Sequence, residues 1–273
     1  VFRFLMEYEN LTFLESLKDL AARAGVKLTT PVFRSEGEKK REVIYALNHL
    51  ASQFYNYLLL SHPAGRRALK YLTRERNLTI PLIKTFNLGF APGNDALVKY
   101  LVNKKRYDEE DLVIAGLAFK RGVGLSDFFK NRIIFPIIDA RGNVIAFSGR
   151  GLSEETTPKY VNTRETPVYI KGDTLFGLDK AREGIKKEGK AVIVEGEFDV
   201  ISAHKNGITN IVAVKGTALT QNQIKLLKRF TGKFALCFDT DPAGTEAQRK
   251  SIREIEKEGI TISRVYIVTI SGD

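Results

Sequence analysis

Short apolar runs recur through the last third of the chain, at Ala191–Val194, Ile211–Val214, Phe234–Phe238 and Ile262–Val268. Between them lie segments of helical periodicity, at Asp199–Lys205, from Thr220 to about Phe230 and at Ala243–Lys257. Strands without polar alternation, separated by helices of about ten residues, predict a mainly parallel sheet covered on both faces. Upstream the rhythm differs. Residues 11–24 place apolar side chains on one helical face, with Gly25 placed as a stop. The charged run from Glu36 to Glu42, after Thr29-Thr30-Pro31, is expected to be a solvated linker. A long helix follows over Val43–Leu60, and its aromatics Tyr45, Phe54, Tyr55 and Tyr57 are expected to be core rather than a stacking platform for bases. Residues 63–116 are expected to be short helices broken by Pro81, Pro92 and Gly93. Two β-branched strands, 132–139 and 144–150, flank a turn at Gly142-Asn143.

Composition narrows the class. Lys and Arg number 43 against 32 Asp and Glu, a net charge of +11, which favours a polyanionic partner. Cys237 is the one cysteine, so a disulfide scaffold is excluded and a reducing, cytoplasmic compartment is expected. His49, His62 and His204 make no zinc spacing with it. The chain begins at Val1 and ends at Ser271-Gly272-Asp273, and is read as a fragment.

The chemistry is expected where the apolar strands end. Glu195-Gly196-Glu197-Phe198-Asp199 follows one strand and Asp239-Thr240-Asp241-Pro242-Ala243-Gly244 follows another. In an open parallel sheet, ligands bind beyond the carboxyl ends of the strands, so neighbouring strands would bring both acidic sets to one crevice. Converging hard oxygens suit Mg²⁺ or Mn²⁺. Capping competes as an explanation, because Asp241 before Pro242 fits a helix N-cap with proline at the first position. Two such acidic sets in a βα frame exceed what capping alone explains.

This pairing resembles the Toprim domain shared by bacterial primases, type IA and type II topoisomerases, nucleases and recombination mediators. The upstream segments Asn131–Ile137, Gly142–Arg150, Pro158–Thr163 and Leu175–Leu178, with Gly216–Thr220, look like the consecutive motifs of DnaG-type primases, in order and spacing. Phe2–Glu7 resembles the stretch that leaves that family's zinc ribbon. The resemblance implies an α/β fold, in which an α+β N-terminal subdomain precedes a doubly wound, mainly parallel Toprim sheet. It divides the chain into a remnant and linker (1–35), a helical then basic β subdomain (36–171) and a truncated Toprim domain (172–273). It also implies primer synthesis on single-stranded DNA from ribonucleoside triphosphates, through an RNA–DNA hybrid.

Carried over, the resemblance makes Glu195, Asp239 and Asp241 the catalytic, metal-binding acids, with Asp199 in support. Arg132, Arg150, Lys159 and Lys171 fall at positions that hold template or nucleotide phosphates. Zinc is expected only in the ribbon outside these residues, and a replicative helicase only on a C-terminal region outside them. Three departures stand out. The ribbon's ligands are absent, a third acidic motif would have to begin at Asp273, and Glu197 replaces an aromatic residue and is expected to face solvent without a role. A Toprim nuclease or topoisomerase, or a non-catalytic DNA-binding module, shares the acidic frame. The basic motifs favour the primase.

Overall fold

The computed structural model describes residues 1–8, 13–26, 35–153, 156–216, 218–258 and 265–267. The expectations placed on Thr29-Thr30-Pro31 and Asp273 lie outside them. The chain divides into a small unit, Val1–Lys40, and a large one, Arg41–Asp273.

In the small unit, α1 (Phe2–Tyr8) and α2 (Phe13–Arg23) bury Leu5, Ser16 and Ala21. Gly25, with φ of +66°, ends α2 as its position predicted. The charged run at 36–42 is not a linker. It forms the first turns of α3 (Glu36–Ser61), started by a capping box in which Ser35 N–H donates to Glu38 Oε2 (2.9 Å) and Glu38 N–H to Ser35 Oγ (3.2 Å). Charge there reflects a solvated helical face, and Ser-x-x-Glu was the overlooked start signal.

The large unit opens with the rest of α3, whose Ile44, Leu47, Ala51 and Tyr55 are buried. Tyr55 meets Phe147 edge-on at 5.8 Å, and Phe54 stacks on Tyr100 at 4.7 Å, so the aromatic stripe is largely core, Tyr57 excepted. Short elements follow: α4 (Arg66–Lys70) continuing as a π-helical turn (Tyr71–Glu75), α5 (Ile80–Thr85), β1 (Gly89–Ala91), α6 (Ala96–Val98) and α7 (Glu109–Ile114). The strand β1 interrupts a region expected to be helical. It pairs with β4 (Arg132–Ile138), and Gly89 is required there because a Cβ would lie 2.5 Å from Tyr55 Cβ. A hairpin of β2 (Ala118–Arg121) and β3 (Gly124–Asp127) precedes β4.

β4 and β5 (Val144–Gly151) pair antiparallel from Arg132↔Gly151, around a turn in which Asp139 Oδ1 accepts the Arg141 and Asn143 N–H groups. With β6 (Tyr160–Asn162) they complete a four-stranded sheet of order β1-β4-β5-β6.

The second sheet has order β11-β10-β8-β9-β7. Its members are β7 (Leu175–Phe176), β8 (Ala191–Val194), β9 (Ile211–Val214), β10 (Phe234–Leu236) and β11 (Val265–Ile267), parallel except for β7. Helices α8 (Leu178–Glu188), α9 (Glu197–Lys205), α10 (Gln221–Lys228) and α11 (Pro242–Lys257) connect them. Alternate strand residues enter different cores. Ile193, Val212 and Leu236 pack with α8, α10 and α11, whereas Val194, Ile211 and Ala213 pack with α9 and with Ile133, Phe135 and Ile137 of β4. Burial on both faces explains the continuous apolar runs. One core therefore joins the antiparallel sheet to the back of the parallel one.

Candidate active site

The acidic residues leave the carboxyl ends of β8 and β10, which are direct parallel neighbours with Ile193 opposite Leu236. Cys237 N–H donates to Ile193 O (2.9 Å), extending the pairing past the strand end, and Asp239 N–H then donates to Glu195 Oε1 at 3.1 Å. Asp241 Oδ1 accepts the Gly244 N–H at 2.7 Å, capping α11 with Pro242 at its first position. The capping explanation is thus realised for Asp241, leaving its second oxygen for other work. Gly244 is obligatory in this arrangement, since a Cβ would lie 2.2 Å from Asp239 O and 2.7 Å from Glu195 Oε1. Asp199 Oδ2 accepts the Gly196 N–H at 3.0 Å and so steadies the β8–α9 turn.

Burial, added to by the charges of Asp239, Asp241 and Asp199, pushes the Glu195 carboxyl above its ordinary range. Burial likewise raises Asp199, with Arg76 among the opposing influences. Four carboxylates that repel one another and offer only hard oxygen fit Mg²⁺ or Mn²⁺ in donor chemistry. Among the described residues, however, no three acidic, histidine or cysteine side chains already converge on one ion position. Glu195 and Asp241 are turned toward backbone N–H groups instead.

Glu197 does not face solvent. It is buried and ion-pairs with Lys215, which follows β9. Burial opposes its ionisation, but the Lys215 ammonium outweighs it and holds the carboxyl below its ordinary range.

Basic groups gather beside the acids around an open basin of about 1040 Å³, lined by Arg67, Lys70, Tyr71, Arg76, Arg150 and Lys159 among others. Phe198 links the two halves. Its ring, on α9, lies 4.6 Å from the Arg76 guanidinium and 5.6 Å from that of Arg150, and Arg150 also sits 4.9 Å from the Tyr71 ring. Arg76 Nε donates to Tyr71 Oη at 2.6 Å. Both guanidiniums are thus held on aromatic faces with donors to spare.

Of the four basic residues singled out from sequence, Arg150 and Lys159 line this basin. Arg132 is buried, and its Nη1 donates to Gly149 O and Lys159 O, each at 3.3 Å. It ties β5 to the segment carrying Lys159. Lys171 opens a turn against α10, where its carbonyl accepts from Gln223 Nε2 at 3.4 Å, and it does not line the basin. Arg67, Lys70 and Arg76 escaped the sequence reading. The density of Arg66, Arg67, Lys70, Arg74 and Arg76 within one short stretch was the available signal.

A family model for the DNA primase catalytic core, N-terminal domain, matches residues 54–182, and a Toprim-like model matches residues 192–271. A DNA primase of Lactococcus lactis is 41% identical over 265 residues, covering 96% of this chain and 41% of its own length. The chain therefore spans about two-fifths of that curated relative. The crystal structure of the Aquifex aeolicus primase zinc-binding and RNA polymerase domains superposes with a TM-score of 0.75 at 36% identity, covering 98% of this chain and 64% of that one. A DnaG primase catalytic domain bound to ssDNA gives 0.77 at 32% identity, covering 86% of this chain and 73% of that one.

Proposed function

This chain belongs to the DnaG-type bacterial DNA primase family, and we propose that it forms the core of an enzyme that synthesises short RNA primers on single-stranded DNA. The observation that carries this reading is the contiguity of acids and bases. Three residues after Glu195, the Phe198 ring seats the Arg76 and Arg150 guanidiniums of the basin, and the Arg76 charge acts on Asp199.

In this reading Glu195, Asp239 and Asp241 hold Mg²⁺ or Mn²⁺, and Asp199 keeps the turn in place. A bound ion neutralises triphosphate charge and polarises the attacking hydroxyl. Arg150, Lys159 and Arg76 hold phosphate oxygens of nucleotide or template, the guanidiniums as two-pronged donors. Arg132 acts through Lys159, and Lys171 approaches template from beyond the basin. The 3′-oxygen of the growing strand bonds to the α-phosphorus of the incoming ribonucleotide and pyrophosphate leaves, lengthening an RNA–DNA hybrid. The ssDNA bound by a related catalytic domain supports a single-stranded DNA template for this chain. A replicative helicase would be engaged by regions outside these residues, in the cytoplasm. Among the described residues no helix is long and apolar enough to cross a membrane.

The test is template-dependent ribonucleotide incorporation by the full-length primase. Glu195→Ala and Asp239→Ala are each expected to abolish it while the protein stays folded. Full activity in both variants would remove the site assignment.

A further inference from the structure

The turn Glu195-Gly196-Glu197 is anchored on two sides. Toward β10, the Glu195 carboxylate accepts the Asp239 N–H. Toward β9, Glu197, the first residue of α9, ion-pairs with Lys215, the residue after that strand. The strand β8 lies between these neighbours, with Ile193 opposite Leu236 on one side and Val212 on the other. Two carboxylates two positions apart therefore reach in opposite directions, and Asp199 takes up the Gly196 N–H between them.

A charge pair is a costly way to join two strand ends. Its side chains are only 4% (Lys215) and 6% (Glu197) exposed, and an apolar pair of similar volume would hold the strands at least as well. An ion pair supplies something apolar packing does not, a defined donor–acceptor direction that sets the rotation of the turn. The surroundings are polar as well. Buried Ser148 Oγ and Asn162 Oδ1, on residues paired in the β5–β6 ladder, have no hydrogen-bond partner, and the Glu197 charge acts on Tyr160 and Tyr169. Glu197 thus faces the basic sheet, while Glu195 faces the crevice.

We propose that Glu197 and Lys215 are a positioning pair that fixes the turn presenting Glu195 to a divalent cation. Neither touches substrate. The proposal rests on Glu195 being a metal-binding acid, as argued above.

The test is Mn²⁺ binding to the full-length primase, read from the paramagnetic resonance signal of the free ion, together with the thermal unfolding midpoint. It compares Glu195→Ala, Lys215→Met, Glu197→Met, the double variant Glu197→Met/Lys215→Met, and Glu197→Asp. Each single Met variant strands a buried charge and is expected to unfold at lower temperature. The double variant is expected to recover the midpoint, yet to bind Mn²⁺ with a Kd raised about tenfold, the scale on which supporting groups tune metal sites. Its Mg²⁺ requirement for primer synthesis rises in parallel, with the KM for ribonucleotide unchanged. Wild-type Mn²⁺ affinity in the double variant, with Glu195→Ala weakened, overturns the pair's role and leaves the Glu195 assignment standing. Unchanged affinity in Glu195→Ala overturns both. Should the double variant fail to fold, Glu197→Asp decides. It keeps both charges but shortens the tie, and is expected to raise the Kd several-fold; wild-type affinity there overturns the proposal.

Discussion

Asp239 donates its backbone N–H to Glu195 Oε1 across 3.1 Å, joining the ends of two strands whose acids lie 44 positions apart in sequence. The contact places a strand-end carboxylate against the backbone that carries the next one. The Cα of Gly244 closes the third side, so the crevice tolerates no added atom there.

Gly244→Ala is therefore expected to damage the site before it damages the fold. The new methyl must displace Asp239 O or the Glu195 carboxylate, a strain of about 1–3 kcal/mol. Primer synthesis should fall more than about tenfold for a shift of this kind at a catalytic group, with only a modest drop in unfolding temperature. Steady-state incorporation and a thermal melt on the same preparation check both halves.

Arg76 is expected to bind phosphate from its aromatic seat. Arg76→Ala should weaken binding of single-stranded DNA or nucleotide and reduce the salt slope of log Kd by about one. Arg76→Lys should recover the charge but not the planar stacking on Phe198, and so only part of the affinity. Fluorescence anisotropy at several salt concentrations measures this.

Arg132 should behave differently. Its buried guanidinium bonds to two backbone carbonyls, so Arg132→Met should cost about 1–3 kcal/mol of stability by leaving those acceptors unpaired. The salt slope of DNA binding should fall by less than it does in Arg76→Ala, because Arg132 reaches phosphate only through the segment carrying Lys159. Denaturant unfolding beside the anisotropy series separates the two effects.

His204 gives the fold a pH dependence with a definite sign. Burial, ahead of the Lys180 charge, pushes its imidazole below the ordinary range, against the pull of Asp179. The folded state then prefers the neutral ring, which meets Phe86 edge-on at 5.1 Å, while the unfolded chain takes up a proton near pH 6.5. Stability contributed by this group is present above that pH and is lost as pH falls below it, with a slope of at most about one proton. His204→Gln should flatten the slope between pH 7.5 and 5.5 in denaturant titrations.

The parallel sheet was legible because burial on both faces leaves strands such as Ile211–Val214 without polar interruption, and the acids at their ends stand out against it. Their convergence was legible only as a condition, since strand order is not written in the residues. Other features depended on partners distant in sequence. Glu197 reads as surface charge until Lys215 is found beside it across a strand. Arg76 reads as one basic residue among many until Phe198 and Tyr71 seat it. Arg132 falls at a motif position, but its burial turns it from a phosphate contact into a brace. At 36–42 the deciding signal is local. The Ser35–Glu38 capping box starts a helix there, and the charge density marks its solvated face and not a connection.

Everything proposed for the acids depends on a divalent cation held in the crevice between β8 and β10. Crystals of the primase soaked in Mn²⁺, with anomalous scattering recorded at the manganese edge, test it most directly. The expected result is a peak bonded to Glu195 and Asp239, with Asp241 turned toward it, that disappears in Glu195→Ala. A crystal that binds Mn²⁺ elsewhere while this crevice stays featureless would contradict it.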